Sequence, residues 1–303
     1  MEATDPIPLH DYPITGEVVA RAALADFATF FLPGQSLPVE LVIENVNGHA
    51  RAGGKTIKIS GDMAAQVIDD ADRLHLHLII LGHEIAHVIH QHAYSGPLDA
   101  EDNAALEHWA DFYGAKVMMT LLSFGPQTRA ICSRFIPDTE AAADMRLPSI
   151  GAALGMLMNE NIYVENAHYP PPLKRVALVV TGVVAFLRLY TGVKRPTLFF
   201  EVFHQTFMAP SLYEHRVLFA EQVNCDPDPI ERIRSWHKAR QGDKLAIGPD
   251  FAPRYVFFLH TTFGQTDDEI IESRRERIAE VQAAGYFTNI GIDGMSFSGL
   301  ERK

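Results

Sequence analysis

His83, Glu84 and His87 form the pentapeptide HEIAH inside the apolar-rich run from Leu74 to Ile89. Residues four apart on a helix share a face, so both imidazoles can hold one Zn²⁺ while Glu84 turns toward the metal's open position. A bound Zn²⁺ lowers the pKa of its water to about 7, and a neighbouring carboxylate can take that water's proton as a carbonyl is attacked. The reaction these residue types predict is peptide-bond hydrolysis, with one Zn²⁺ per chain. Leu74, Leu76, Leu78, Ile79, Leu81, Ile85, Val88 and Ile89 make the segment apolar enough to be a buried helix, unbroken until Ser95-Gly96-Pro97.

A catalytic zinc site wants a third protein ligand. Beyond the Gly-Pro break a second helical pattern starts near Asp99 and carries Glu107-His108-Trp109-Ala110-Asp111. Glu107 and Asp111 are four apart and share a face. With Glu107 as third ligand, Asp111 is placed to accept an N–H from a ligating histidine and fix its tautomer. His108 is the alternative third ligand. Alone, the two acids would read as a solvated helix face; the upstream pentapeptide favours the ligand reading.

The metzincin pattern is excluded, because it wants glycine where His90 stands and histidine where Ala93 stands. With HExxH followed by ExxxD, the chain resembles the gluzincins, in particular soluble relatives of the heat-shock and prenyl-protein proteases. A third segment, Tyr169-Pro170-Pro171-Pro172-Leu173-Lys174-Arg175-Val176, is similar to that family's HPPxxxRI stretch, with Tyr169 at the histidine position and His168 one residue earlier. The resemblance implies that Tyr169 or His168, with Arg175, lies near the metal, donating to the oxyanion or orienting the site walls. An oxyanion donor is worth about 2.7–4 kcal/mol. The proline run also reads as an ordinary helix N-terminus. Size and the HExxH arrangement resemble, more loosely, phage-exclusion proteases of the Lit type, which would imply a host-defence or toxin role with a translation factor as substrate. A degenerate zincin serving as a protein-binding module would lose a ligand or the base, and this sequence keeps them all.

At 303 residues the chain can bury one large core or two modest ones, and 47% apolar with 21% charged residues is ordinary globular composition. The formal charge of −12 opposes binding to polyanions, so a protein or peptide substrate is expected rather than nucleic acid or an anionic membrane surface. Cys132 and Cys225 offer neither a disulfide framework nor CxxC spacing. The start, Met1 to Pro6, lacks the basic and apolar regions of a signal peptide, and the apolar run Val176 to Leu187 falls short of the roughly 20 residues a bilayer needs. These features predict a cytoplasmic protein without a membrane span. A cytoplasmic protease needs restraint, so narrow specificity and an activator that opens the cleft are expected.

The elements that must position these residues read as an α+β, mostly α, zincin-like fold: a small sheet upstream of the HExxH helix and a helical C-terminal part. Residues 1–190 form the expected catalytic core and 191–303 a helical subdomain, which can be continuous with the core. Helices are expected at 16–32, 62–70, 74–89, 99–124, 139–145, 149–164, 172–190, 197–222, 229–240 and 267–284. Strands are expected at 39–44 and 55–60, joined by a loop holding Asn47-Gly48 and Gly53-Gly54. The second strand alternates Lys and Ile, which predicts a half-exposed edge, so Lys55, Ile57 and Ile59 become candidates for binding extended substrate by strand addition.

Overall fold

A computed structural model of the chain describes residues 13–259, apart from breaks at 47, 95–97, 138–139, 165–167, 192–196, 214, 216–226 and 242–249. The expected helix at 267–284 lies outside the described residues. What is described is mostly helical, with one small sheet.

Helix α3, Ala71–Ile89, is the element around which the rest is arranged. Asp70 caps it by accepting from the Arg73 N–H at 2.7 Å, and nearly every residue from Leu74 to Ile89 is buried. Helix α1, Gly16–Ala28, and helix α4, Ala100–Phe124, pack on it, as does α6, Glu140–Asn159. The expected helices at 139–145 and 149–164 are this one helix, with Pro148 inside it. Helix α2, Gly61–Ala65, is shorter than expected, because Gln66 turns extended immediately after it. Helix α5, Pro126–Cys132, has no cap of its own and takes one from α1: buried Asp26 accepts the N–H groups of Gln127 and Thr128 at 3.1 and 2.7 Å.

The sheet holds β1 (Glu40–Ile43), β2 (Ala50–Gly53) and β3 (Thr56–Ile59) in the order β1-β3-β2. β3 pairs with β1 in parallel and with β2 antiparallel. This corrects the edge-strand expectation. The strand carrying Ile57 and Ile59, with Lys55 just before it, is central, with both backbone edges occupied, so it cannot accept an added strand. The edges belong to β1 and to β2, and the sequence reading placed β2 inside a loop.

Helix α7, Pro172–Thr191, packs along α4. Beyond it lie α8 (Leu198–Phe207), α9 (Pro210–Tyr213), α10 (Pro227–Gln241) and α11 (Pro253–Leu259), so the single helix expected at 197–222 ends at Phe207. These later helices share the core of the earlier ones. Phe251 meets Phe27 and Phe31, and Ile233 of α10 packs with Ala105 and Leu106 of α4. Among the described residues no helix is long and apolar enough to cross a membrane.

Candidate metal centre

Helices α3 and α4 approach at backbone contact, and two glycines permit it. A Cβ on Gly82 would strike the Gly114 carbonyl oxygen, and one on Gly114 would sit 2.7 Å from the His83 Cα. A third glycine, Gly182 of α7, faces the Phe112 carbonyl from the other side of α4. With Gly82 opposite Gly114, the two helices run antiparallel, so moving up α3 to His83 and His87 meets Asp111 and then Glu107 on α4. Larger side chains here would push apart the helices that carry His83, His87 and Glu107. Gly114→Val is expected to cost about 1–3 kcal/mol of stability or more, the usual cost of overpacking, and to lower metal binding as well. Denaturant midpoints and metal content of the purified variant check both.

The three side chains named as ligands come together. His83 Nε2 lies 3.0 Å from His87 Nε2 and 2.9 Å from Glu107 Oε2, and His87 Nε2 lies 3.6 Å from Glu107 Oε1. Among the described residues, His83, His87 and Glu107 are the group of donors able to hold one metal ion. Ligands about 2.0–2.1 Å from a tetrahedral zinc stand roughly 3.3 Å apart, and these edges bracket that value. Glu107 Oε2 is buried and, despite its closeness to His83, makes no regular hydrogen bond. A buried carboxylate set beside two imidazole nitrogens in this way fits a metal ligand. His108, the alternative ligand, is outside this cluster and packs against Trp109, its pKa pushed down to about 3 by burial and nearby Lys174.

A layer of charge stands behind the cluster. Asp111 accepts from His83 Nδ1 at 2.9 Å, which leaves His83 Nε2 as the free donor atom. Arg175 forks onto Asp111, its Nε 2.8 Å from Oδ2 and its Nη2 3.0 Å from Oδ1. Both are buried. Burial works against charge on Asp111, but Arg175 and His83 outweigh it and hold its carboxyl below the ordinary aspartate range. Burial likewise opposes an imidazolium at His83, yet Asp111 and Glu107 hold its pKa up to about 10. The proton kept there occupies the place a cation would take, so metal binding at this cluster should release it.

Arg175 therefore meets the ligands through Asp111 and His83. Its guanidinium lies 4.0 Å from the Tyr163 ring centre and 4.9 Å from that of Tyr169. Arg175→Ala would strand a buried carboxylate, a change that costs about 3–5 kcal/mol, with Arg175→Lys intermediate because an ammonium cannot fork. Guanidinium unfolding curves of the three proteins test that order. Tyr163, which the sequence reading missed, hydrogen-bonds Asp111 from a fully buried position that raises its phenol's pKa. Tyr169 is half-buried, and its phenol is raised first by the charge of Glu107, then by burial, with Glu84 adding to it. Its hydroxyl thus stays protonated, within reach of the charges of Glu107 and Glu84. His168 is exposed.

Glu84 is one residue past His83 but outside the donor cluster. Its Oε2 accepts the backbone N–H of Ala52 on β2. Since Ile57 is Ala52's partner in the antiparallel pair and His49 faces β3 through its carbonyl to Ser60, the Ala50 and Ala52 backbone groups point away from β3. The outward edge of β2 and the carboxylate of Glu84 thus adjoin. Comparison with protein-family models, curated proteins and solved structures finds no match to this chain.

Proposed function

We propose that the chain is a zinc-dependent endopeptidase of the glutamate-ligand, zincin-like type. The observation that carries the reading is the His83, His87 and Glu107 triangle with a non-ligand carboxylate, Glu84, beside it. Bound to these three ligands, Zn²⁺ would supply Lewis acidity and bring its water's pKa to about 7. Glu84 takes up a proton on its carboxylate and returns it to the leaving amine. Tyr169, kept protonated by the charges of Glu107 and Glu84 and by burial, supplies an O–H donor toward developing negative charge. Arg175, Asp111 and Tyr163 keep His83 in one orientation and one tautomer.

The corrected sheet topology moves the substrate proposal to β2. An extended peptide can pair with the outward groups of Ala50 and with the Ala52 carbonyl, the Ala52 N–H being held by Glu84, which places its backbone beside that carboxylate. Main-chain pairing of this kind gives affinity and leaves selection to side-chain contacts; narrow specificity on a protein substrate remains the proposal. A cytoplasmic site of action and an activator belong to the same proposal.

Metal analysis tests the reading. The purified chain should carry about one Zn²⁺, Glu107→Ala should lose most of it, and His108→Ala should keep it. Full zinc in Glu107→Ala together with loss in His108→Ala would move the third ligand and reject this triangle.

A further inference from the structure

Each metal-binding imidazole has a second nitrogen that something must hold. For His83 that partner is Asp111. For His87 it is another histidine: His87 Nδ1 lies 2.6 Å from His92 Nδ1, and His92 Nε2 lies 2.8 Å from His237 Nε2. His92 and His237 are 6% and 2% exposed, so water cannot substitute for these bonds. We infer that His92 and His237 are positioning residues for His87, a buried imidazole chain that locks the ligand's tautomer and ties α10 to the centre. The inference rests on the metal-centre reading above and names what orients its second histidine.

The chain geometry has a local cause. Gln91 adopts a left-handed φ of 55°, which breaks α3 and folds the short 3-10 turn His92–Tyr94 back on the helix, bringing His92 against His87. The far end is held by α10. There Ile233 packs on α4, Arg232 pairs with Asp102 at 2.8 Å, and Arg240 reaches Gln91 at 3.4 Å. The His237 ring stacks on His92 with centres 5.0 Å apart, and Trp236 lies 6.1 Å from His92.

Proton counting then fixes the whole chain. A neutral His87 that binds through Nε2 carries its hydrogen on Nδ1 and donates it to His92 Nδ1. His92 must therefore be protonated on Nε2 alone, and donates to His237 Nε2. His237 in turn carries its hydrogen on Nδ1. The opposite polarity would put a second hydrogen between His92 Nδ1 and His87 Nδ1, which a ligand bound through Nε2 cannot accept while neutral. Filling the centre thus selects one of two polarities along three rings, the last of them on a helix that follows α3 by well over a hundred residues.

The experiment uses the full-length protein with Zn²⁺ as the probe. In the zinc-loaded protein with ¹⁵N-labelled histidine, ring spectra should give His92 as the Nε2–H tautomer and His237 as the Nδ1–H tautomer. By competition with a chelator, His92→Phe should weaken zinc about 10- to 100-fold, the usual effect of losing a group that orients a ligand. His92→Gln, whose amide can accept from His87 and donate to His237, should recover most of that loss, whereas a packing role would be served better by Phe. His237→Phe should weaken zinc less than His92→Phe. Should either His92 variant fail to fold, the ring spectra of the unaltered protein still decide. If His87→Ala and Glu107→Ala bind zinc as the parent does, the metal-centre reading is wrong and this inference goes with it. If both lose zinc while His92→Phe binds within about twofold of the parent, or His92 is protonated on Nδ1, only the imidazole chain is overturned.

Discussion

Glu84→Gln is expected to keep its zinc and its fold while peptide hydrolysis drops by about 10²- to 10⁴-fold, the contribution of a positioned general base. The amide is nearly isosteric with the carboxylate, and its oxygen can still accept the Ala52 N–H that now meets Glu84 Oε2. Glu84 lies outside the triangle of His83, His87 and Glu107, so metal content should not follow the mutation. What is lost is the ability to accept a proton. Parallel measurement of zinc content and cleavage, on substrates found by sequencing new N-termini in cells expressing either form, separates the two effects. Turnover by Glu84→Gln within a few fold of the parent would reject Glu84 as the base. Zinc loss comparable to that of Glu107→Ala would instead make it a ligand.

The clustering of His83, His87 and Glu107 was legible because its information is local. An i, i+4 pair fixes the relative direction of two side chains whatever the surroundings, and the same holds for Glu107 and Asp111. The sheet was harder. Alternation of Lys and Ile in β3 records that one face of the sheet is solvated, and the burial of Ile57 and Ile59 agrees with it. It says nothing about whether the backbone edges are paired, and both are. β2 escaped notice because Ala50-Arg51-Ala52-Gly53 has neither β-branched nor aromatic residues; its pairing with β3 supplies what propensity does not. Gly82 and Gly114 read in sequence only as weak points in helices, since their role exists when two backbones touch. His92 lies five residues after His87 in sequence, but its partner His237 comes from a helix that no local pattern connects to it.

Acidification from pH 6.5 to about 4 is expected to remove several kcal/mol of stability; His92, His108 and His237, whose pKa values burial lowers, all act in this sense, and two histidines away from the metal centre contribute a share that can be followed ring by ring. His75 and His77 on α3 are fully buried, and burial is the main reason each pKa is lowered to about 4, with Arg146 adding to it at His75 and Arg73 at His77. One nitrogen of each is satisfied: His75 Nδ1 lies 2.7 Å from the Ser149 hydroxyl and His77 Nε2 2.7 Å from Gln66 Oε1. The other nitrogens, His75 Nε2 and His77 Nδ1, are buried without a partner, so an added proton would find no acceptor. In the unfolded chain both rings titrate near 6.5. Between that value and about 4 the unfolded state binds more protons, so stability falls as pH falls, by about 3 kcal/mol for each ring at 1.36 kcal/mol per pH unit. His83, with its pKa raised to about 10 in the metal-free protein, acts in the opposite sense, but its window lies between 6.5 and 10 and adds no slope below it. Urea midpoints measured across this range should fall steeply, and the C2–H resonances of His75 and His77 should stay those of neutral rings until the protein unfolds. A flat profile from pH 6.5 to 4.5, or either ring titrating near 6.5 in the folded protein, would show that α3 accommodates the charge its packing is argued to exclude.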